Sequence, residues 1–213
     1  YHYGDIIEYP VLRKKGYTLQ WNIHPETVIQ NEEIHASWIF SNSVGKVFEV
    51  NGNRYQILNP SITNGSVRLL SYTQDASQIQ IPERVQIGDY YYFIEEIAIR
   101  AFCDCMKMRI LTLPDCVRIV GDGAFMNCKS LEKVVLGKGP DAKLHSIGKK
   151  VFAGNEHLRE IYFGGRNLRK VYSATFEGIR KTVKILVIPA EKAKIEKLLQ
   201  KSLQEGRILI DLI

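Results

Sequence analysis

The sequence predicts a β-rich α+β solenoid: short stacked coils, a C-terminal capping helix and a small N-terminal β module. Three observations predict it. Phe recurs at 102, 125, 152 and 176, at intervals of 23, 27 and 24 residues, and a period in the twenties marks stacked units. Nine and eleven residues after the first three Phe lie Leu111/Leu113, Val134/Leu136 and Ile161/Phe163, spaced as in a strand with one buried face. Loops holding Gly121, Gly123 and Gly148 separate strand from Phe, where the backbone must turn tightly.

The elements follow in order. Residues 1–40 lack the Phe pattern but place Tyr3-Gly4, Pro10, Gly16-Tyr17-Thr18, Trp21 and Trp38 in sequence. The reading gives both Trp residues to core packing. Residues 41–45, "SNSVG", form a linker. From 46 to 96 a β lead-in is expected. "KVFEVNGNRYQIL" is a hairpin signal, with two alternating apolar runs joined by Asn51-Gly52. Tyr90, Tyr91 and Tyr92 read as alternating strand packing. Residues 97–189 hold the repeats, and 190–213 a cap. "IPAEKAKIEKLLQKSLQEG" reads as one helix with Ile195, Leu198, Leu199 and Leu203 on a single face. Such a helix would cover the last coil's apolar side.

Within a coil, Cys105, Cys128, Asn155 and Ile179 lie three residues after the Phe, and Met108, Leu131 and Leu158 six after. Cys105 and Cys128 are therefore expected in the core, as small hydrophobes. The fourth coil fits if one residue is inserted, which puts Val183, Leu186 and Ile188 inward. The longer second interval is assigned to the turn-rich "GKGPDAK". One coil cannot bury its apolar face alone, but stacked neighbours can.

These units resemble the BspA-like leucine-rich repeats of bacterial surface proteins, with the pattern I-G-x-x-A-F-x-x-C-x-x-L-x-x-I-x-L-P. The unit from Val120 to Gly137 follows it closely. The first unit has Ala98 where Gly is usual, and the last has Tyr172 there and no Cys. The resemblance implies a horseshoe-like β-solenoid with short helical turns around the Ala-Phe-x-x-Cys segment. Residues 1–40 resemble the second half of an internalin-type B-repeat (Listeria–Bacteroides repeat), lacking its first strand.

Composition limits the chemistry. The 213 residues, 45% hydrophobic, suit one or two globular domains. No apolar run approaches the ~20 residues of a membrane span. The net charge of +6 is uneven. Residues 1–140 carry 14 Lys and Arg against 15 Asp and Glu; residues 141–213 carry 15 against 8. Cys103-Asp104-Cys105 lacks the spacing of a zinc pair, and no metal site or cofactor is expected. Phosphate-binding loops, nucleophile elbows and paired-histidine metalloprotease motifs are absent from the sequence. Cys103 with His145 or His157 would need an activating cation. Glu95 and Glu96, adjacent in a predicted strand, would point to opposite faces.

The outward strand positions are the candidate contact residues: Ile110, Thr112, Lys133, Val135, Glu160, Tyr162, Ile185 and Val187. Several are apolar where solvent is expected, and an exposed apolar stripe marks a contact surface. The expected function is a non-catalytic extracellular recognition or adhesion module. Its expected partner is a host or bacterial protein, or a second copy of the chain. The alternative is a basic module binding an anionic polymer, such as glycosaminoglycan or nucleic acid. Placement is expected to be extracellular or at the cell surface, with any signal or anchor segment outside this chain.

Overall fold

A computed structural model describes residues 6, 17–21, 35–40, 42–172, 174–179 and 182–212. The chain divides into two units, Tyr1–Ser43 and Val44–Ile213. In the first, β1 (Tyr17–Trp21) pairs antiparallel with β2 (Ala36–Phe40), Tyr17 opposite Phe40. Tyr3-Gly4, Pro10, Gly16 and the Trp38 side chain, on which the B-repeat resemblance leans, lie outside the described residues.

The second unit opens with a β lead-in. β3 (Val47–Val50) and β4 (Asn53–Asn59) form the expected hairpin, with Asn51 and Gly52 at φ 50° and 77°. Both central residues then have the positive φ of a type I′ turn, whose twist matches the strands. β5 (Ser66–Ser71) and β6 (Gln78–Gln80) follow. β7 (Arg84–Ile87) pairs antiparallel with β8 (Tyr90–Ile97). Tyr92 is buried in β8 while Tyr91 is exposed, so the tyrosines do alternate as strand packing.

From here the chain coils. Each turn supplies a four- or five-residue strand and most a two-residue strand. The longer ones are β9 (Ile110–Leu113), β11 (Lys133–Leu136), β13 (Glu160–Phe163) and β15 (Val183–Val187). The shorter are β10 (Ile119–Val120), β12 (Ser146–Ile147) and β14 (Lys170–Val171). The longer strands stack in parallel in a six-stranded sheet that starts at β6 and ends at β16 (Ile208–Leu212). The shorter ones extend the lead-in as an eight-stranded sheet, in the order β14-β12-β10-β8-β5-β4-β3 with β7 beside β8. Sequence reading missed β6 and β16 as rungs of the ladder.

Phenyl rings fill the interior as one column. Phe102, Phe125, Phe152 and Phe176 stack with centroids 5.3, 5.8 and 5.8 Å apart. Tyr72 begins the column 4.8 Å from Phe102. Its N–H donates to Ala101 O as Phe102 N–H donates to Ala124 O, so Tyr72 holds the Phe place of a preceding coil. Each such ring contact adds about 0.5–1.5 kcal/mol to the burial of the rings themselves.

Around each Phe the expected helical turn is instead a run of β-turns. The residues two before the Phe (Arg100, Gly123, Lys150, Ala174) and two after (Asp104, Asn127, Gly154, Gly178) all have φ between 55° and 73°. This left-handed spacing sends alternate N–H groups in opposite directions. Ala101, Cys103 and Cys105 donate within their own coil, to Ala98, Arg100 and Phe102. Arg100, Phe102 and Asp104 donate to the next coil, at Asp122, Ala124 and Met126. The family resemblance implies helical turns there; the need to bond the neighbouring coil gives β-turns instead. Gly121 and Gly148 do not serve turning. A Cβ on Gly148 would lie 2.7 Å from Asp122 N and 2.8 Å from Gly121 C, so glycine there permits close approach of adjacent coils.

Three further expectations are corrected. Cys105 is only half-buried, while Cys116 and Cys128 are buried; Cys105 lines an open cleft beside Tyr72 and Asp75. The C-terminal segment is a 3₁₀ turn (Pro189–Glu191) followed by α1 (Lys192–Leu198) and α2 (Gln200–Gln204), broken at Leu199. Ile195 and Leu199 are its buried residues, with Leu198 and Leu203 half-buried. Ile185 and Val187, placed outward by the assumed insertion, are fully buried. No residue is inserted: Ile185 and Val187 lie nine and eleven residues after Phe176, as in the other coils, so β15 pairs Ile185 with Ile161 and Val187 with Phe163, and Val183 is buried beside them. A one-residue slip exchanges the faces of a strand, and Lys184 and Leu186 take the outward places.

Candidate functional site

The outward face of the six-stranded sheet carries two rows fixed by the parallel register. One runs Gln78, Ile110, Lys133, Glu160, Lys184, Leu209; the other runs Gln80, Thr112, Val135, Tyr162, Leu186, Asp211. The sheet thus brings together six of the eight residues expected at this face: Ile110, Thr112, Lys133, Val135, Glu160 and Tyr162. Gln78, Gln80, Lys184, Leu186, Leu209 and Asp211 are the members that sequence reading missed. The signal for Lys184 and Leu186 was available. Ile185 lies nine residues after Phe176, as Leu111 does after Phe102.

The two rows differ in chemistry. In the first, Lys133 pairs with Glu160 on the adjacent strand. Lys184 Nζ lies 2.8 Å from Asp211 across to β16. Hydrogen bonding to Lys184 holds the Asp211 carboxyl below its ordinary pKa, and the same bond raises that of Lys184. The second row is apolar at its centre, with Thr112, Val135, Tyr162 and Leu186 half-buried side by side. The Tyr162 hydroxyl donates to Lys138 O at 3.2 Å, which fixes the ring against the surface. Leu209 is 57% exposed at the β16 end. The face is a broad surface with fixed charge pairs and an apolar stripe, suited to contact rather than to enclosing a small molecule.

Among the described residues the cysteines and histidines do not assemble a nucleophile. The Cys103 thiol donates to Asp104 Oδ2 at 3.0 Å, and burial followed by that bond raises its pKa. Burial pushes the Cys116 and Cys128 thiols up to about 12. Cys128 donates to Phe102 O at 3.0 Å, tying its coil to the one before. His157 Nδ1 lies 2.7 Å from Lys129 O, a bond between coils. Among the described residues no group of three metal-ligating side chains comes together, and no helix is long and apolar enough to cross a membrane.

Glu95 and Glu96 also depart from expectation. The register of β5 against β8 shifts between Val67/Ile94 and Arg68/Glu96. This bulge turns the two carboxylates to one side, where both line a single cleft. Glu96 accepts from Arg68 Nε at 2.7 Å, and Glu95 lies 3.8 Å from Arg118.

Comparison with known proteins supports the repeat architecture. The family described as the BspA type leucine rich repeat region matches residues 72–202, in six copies. No curated protein matches the chain. Three solved structures share the fold. A leucine rich cell surface protein from Faecalibacterium prausnitzii is 19% identical, with a TM-score of 0.50 over 68% of this chain and 45% of that one. A leucine-rich repeat protein from Bacteroides capillosus is 21% identical, with a TM-score of 0.53 over 65% of this chain and 97% of that one. One from Bacteroides ovatus is 25% identical, with a TM-score of 0.52 over 65% of this chain and 35% of that one. The chain therefore spans less than half of the first and third. With the family match covering more than half of its residues, this chain belongs to the BspA-type leucine-rich repeat family.

Proposed function

We propose that the chain is a non-catalytic protein-recognition module of a bacterial cell-surface or secreted protein, acting in adhesion. Its contact surface is the outward face of the six-stranded sheet. The observation that carries this reading is the row Thr112, Val135, Tyr162 and Leu186, set beside the ion pairs Lys133–Glu160 and Lys184–Asp211. An apolar centre with a charged border is the anatomy of a protein contact. Its members sit on hydrogen-bonded strands, so little ordering is needed on binding. Membership of a family found in bacterial surface proteins, and the Faecalibacterium cell surface protein in particular, support the location.

The test is a screen of the purified chain against immobilised host extracellular-matrix proteins, run over a salt series. Binding is expected to vary little with salt and to be lost in the Val135→Glu/Tyr162→Glu variant while its thermal midpoint is kept. Undiminished binding by that variant rejects this face. The anionic-polymer alternative rests on different residues, on the eight-stranded sheet.

A further inference from the structure

Over most of the coiled surface, charge alternates from rung to rung. Arg109 pairs with Glu132 at 2.9 Å, Lys150 with Glu177 at 3.2 Å, Lys184 with Asp211 at 2.8 Å, and Lys133 with Glu160. Like charges on neighbouring strands repel, and opposite ones stabilise. One column breaks this habit. Arg118 N–H donates to Glu95 O at 2.7 Å, His145 N–H to Arg118 O at 2.9 Å, and Arg169 N–H to His145 O at 2.9 Å. These bonds place Glu95, Arg118, His145 and Arg169 on successive rungs, about 4.8 Å apart. After Glu95 no acidic residue follows. The four, with Glu96, Ile119, Lys143 and Asn167, line a cleft of about 520 Å³. Both carboxylates in it are engaged, Glu96 by Arg68 and Glu95 by Arg118. Lys143 and Arg169 have no acidic partner among the described residues.

We propose that this cleft binds a short segment of acidic polysaccharide, bearing carboxylate or sulfate groups. Lys143, His145 and Arg169 hold the acid groups; Glu95, Glu96 and the Asn167 carbonyl oxygen accept from hydroxyls. The Asn167 amide is fixed for this by donating to Ala142 O at 2.9 Å. The lining argues against the other polyanions. Among the described residues no Phe, Tyr or Trp lines the cleft, so single-stranded nucleic acid has no stacking platform. Its few cations fall short of the six to ten phosphate contacts of a typical duplex binder. Ile119 is the sole apolar residue among the described residues lining it, which leaves no pocket for the anchor of an acidic peptide. The site lies apart from the six-stranded face and does not depend on protein recognition there.

The intact chain is titrated calorimetrically with a short heparin fragment, a short hyaluronan fragment, a neutral maltooligosaccharide, a single-stranded oligonucleotide and poly-glutamate. Binding of one or both acidic saccharides is expected, without binding of the neutral one. Heparin alone assigns sulfate, and hyaluronan binding assigns carboxylate. Lys143→Gln/Arg169→Gln should weaken that binding at least about tenfold, as loss of charge-assisted bonds does. The control Lys149→Gln/Lys197→Gln removes equal charge elsewhere and should leave it within about twofold, a margin set by long-range charge alone. Equal loss in both variants, no saccharide binding, or tighter binding of the oligonucleotide or poly-glutamate would overturn the proposal.

Discussion

The outward faces of the two sheets ride on the same coils, yet they handle charge in opposite ways. On the six-stranded sheet, Lys133 meets Glu160 and Lys184 meets Asp211, beside an apolar row. On the eight-stranded sheet, Arg118, His145 and Arg169 follow one another with no intervening acid. The inward positions cannot vary so freely. Phe, Leu and Val repeat there because each must fill the same space between neighbours. A stacked coil thus separates its duties: the interior sets the spacing, and each outward column can be written for a different partner.

The comparison can be broken first from the inside. Phe125 is fully buried between Phe102 and Phe152. Phe125→Ala should lower the unfolding free energy by about 3–5 kcal/mol in urea titration, and both faces should fail together. A loss below about 1 kcal/mol would mean that the ring column does not set the spacing.

Asn155 offers the opposite change. It stands in the Cys128 place one coil on, fully buried, and neither side-chain polar atom has a partner. Asn155→Cys should stabilise by about 1–3 kcal/mol, removing groups that lost their hydration. The new thiol can donate to the Phe125 carbonyl as Cys128 does to that of Phe102. A destabilised variant would show that the amide has a partner in solution.

The buried thiols sharpen the account through pH. Cys116 and Cys128 have pKa values of about 12 when folded, against roughly 8.5 for an ordinary thiol. Below the unfolded pKa both states keep the proton and stability is unaffected. Above it the unfolded chain ionises while the folded one does not. Each further pH unit should then remove about 1.4 kcal/mol per thiol, read by unfolding between pH 7 and 10. In the folded chain a thiol reagent should reach Cys103 and Cys105, which are half-exposed, well before Cys116 and Cys128.

The smallest effect concerns the turn column. Lys150 is held at φ 55°, a conformation that costs a side-chain-bearing residue about 1–2 kcal/mol. Glycine occupies the same place at 123. Lys150→Gly should raise stability by up to about 1 kcal/mol, part of the gain being offset by glycine's unfolded entropy. The exposed Lys150–Glu177 pair contributes little against this.

The repeat was legible because a buried aromatic cannot drift in register, so its spacing survives in the sequence. Tyr72 escaped notice since it lies 30 residues before Phe102 and lacks the Ala before it. β16 escaped because "ILIDL" follows a helix and has no Phe of its own. The turn column was unreadable by propensity. Asn127, Lys150 and Ala174 share one left-handed backbone but no common chemistry. Most of the candidate face followed from period two alone, and the error at Ile185 and Val187 came from assuming an inserted residue that the coil does not contain. The cleft was hidden because it depends on a bulge beside Glu95 and on residues adjacent only across coils.

The most direct test of the proposed recognition face compares the intact chain with its Val135→Glu/Tyr162→Glu variant on the same immobilised matrix protein, by surface plasmon resonance. Affinity is predicted to fall at least about tenfold with the thermal midpoint unchanged. Equal affinity in a folded variant would place recognition elsewhere on the molecule.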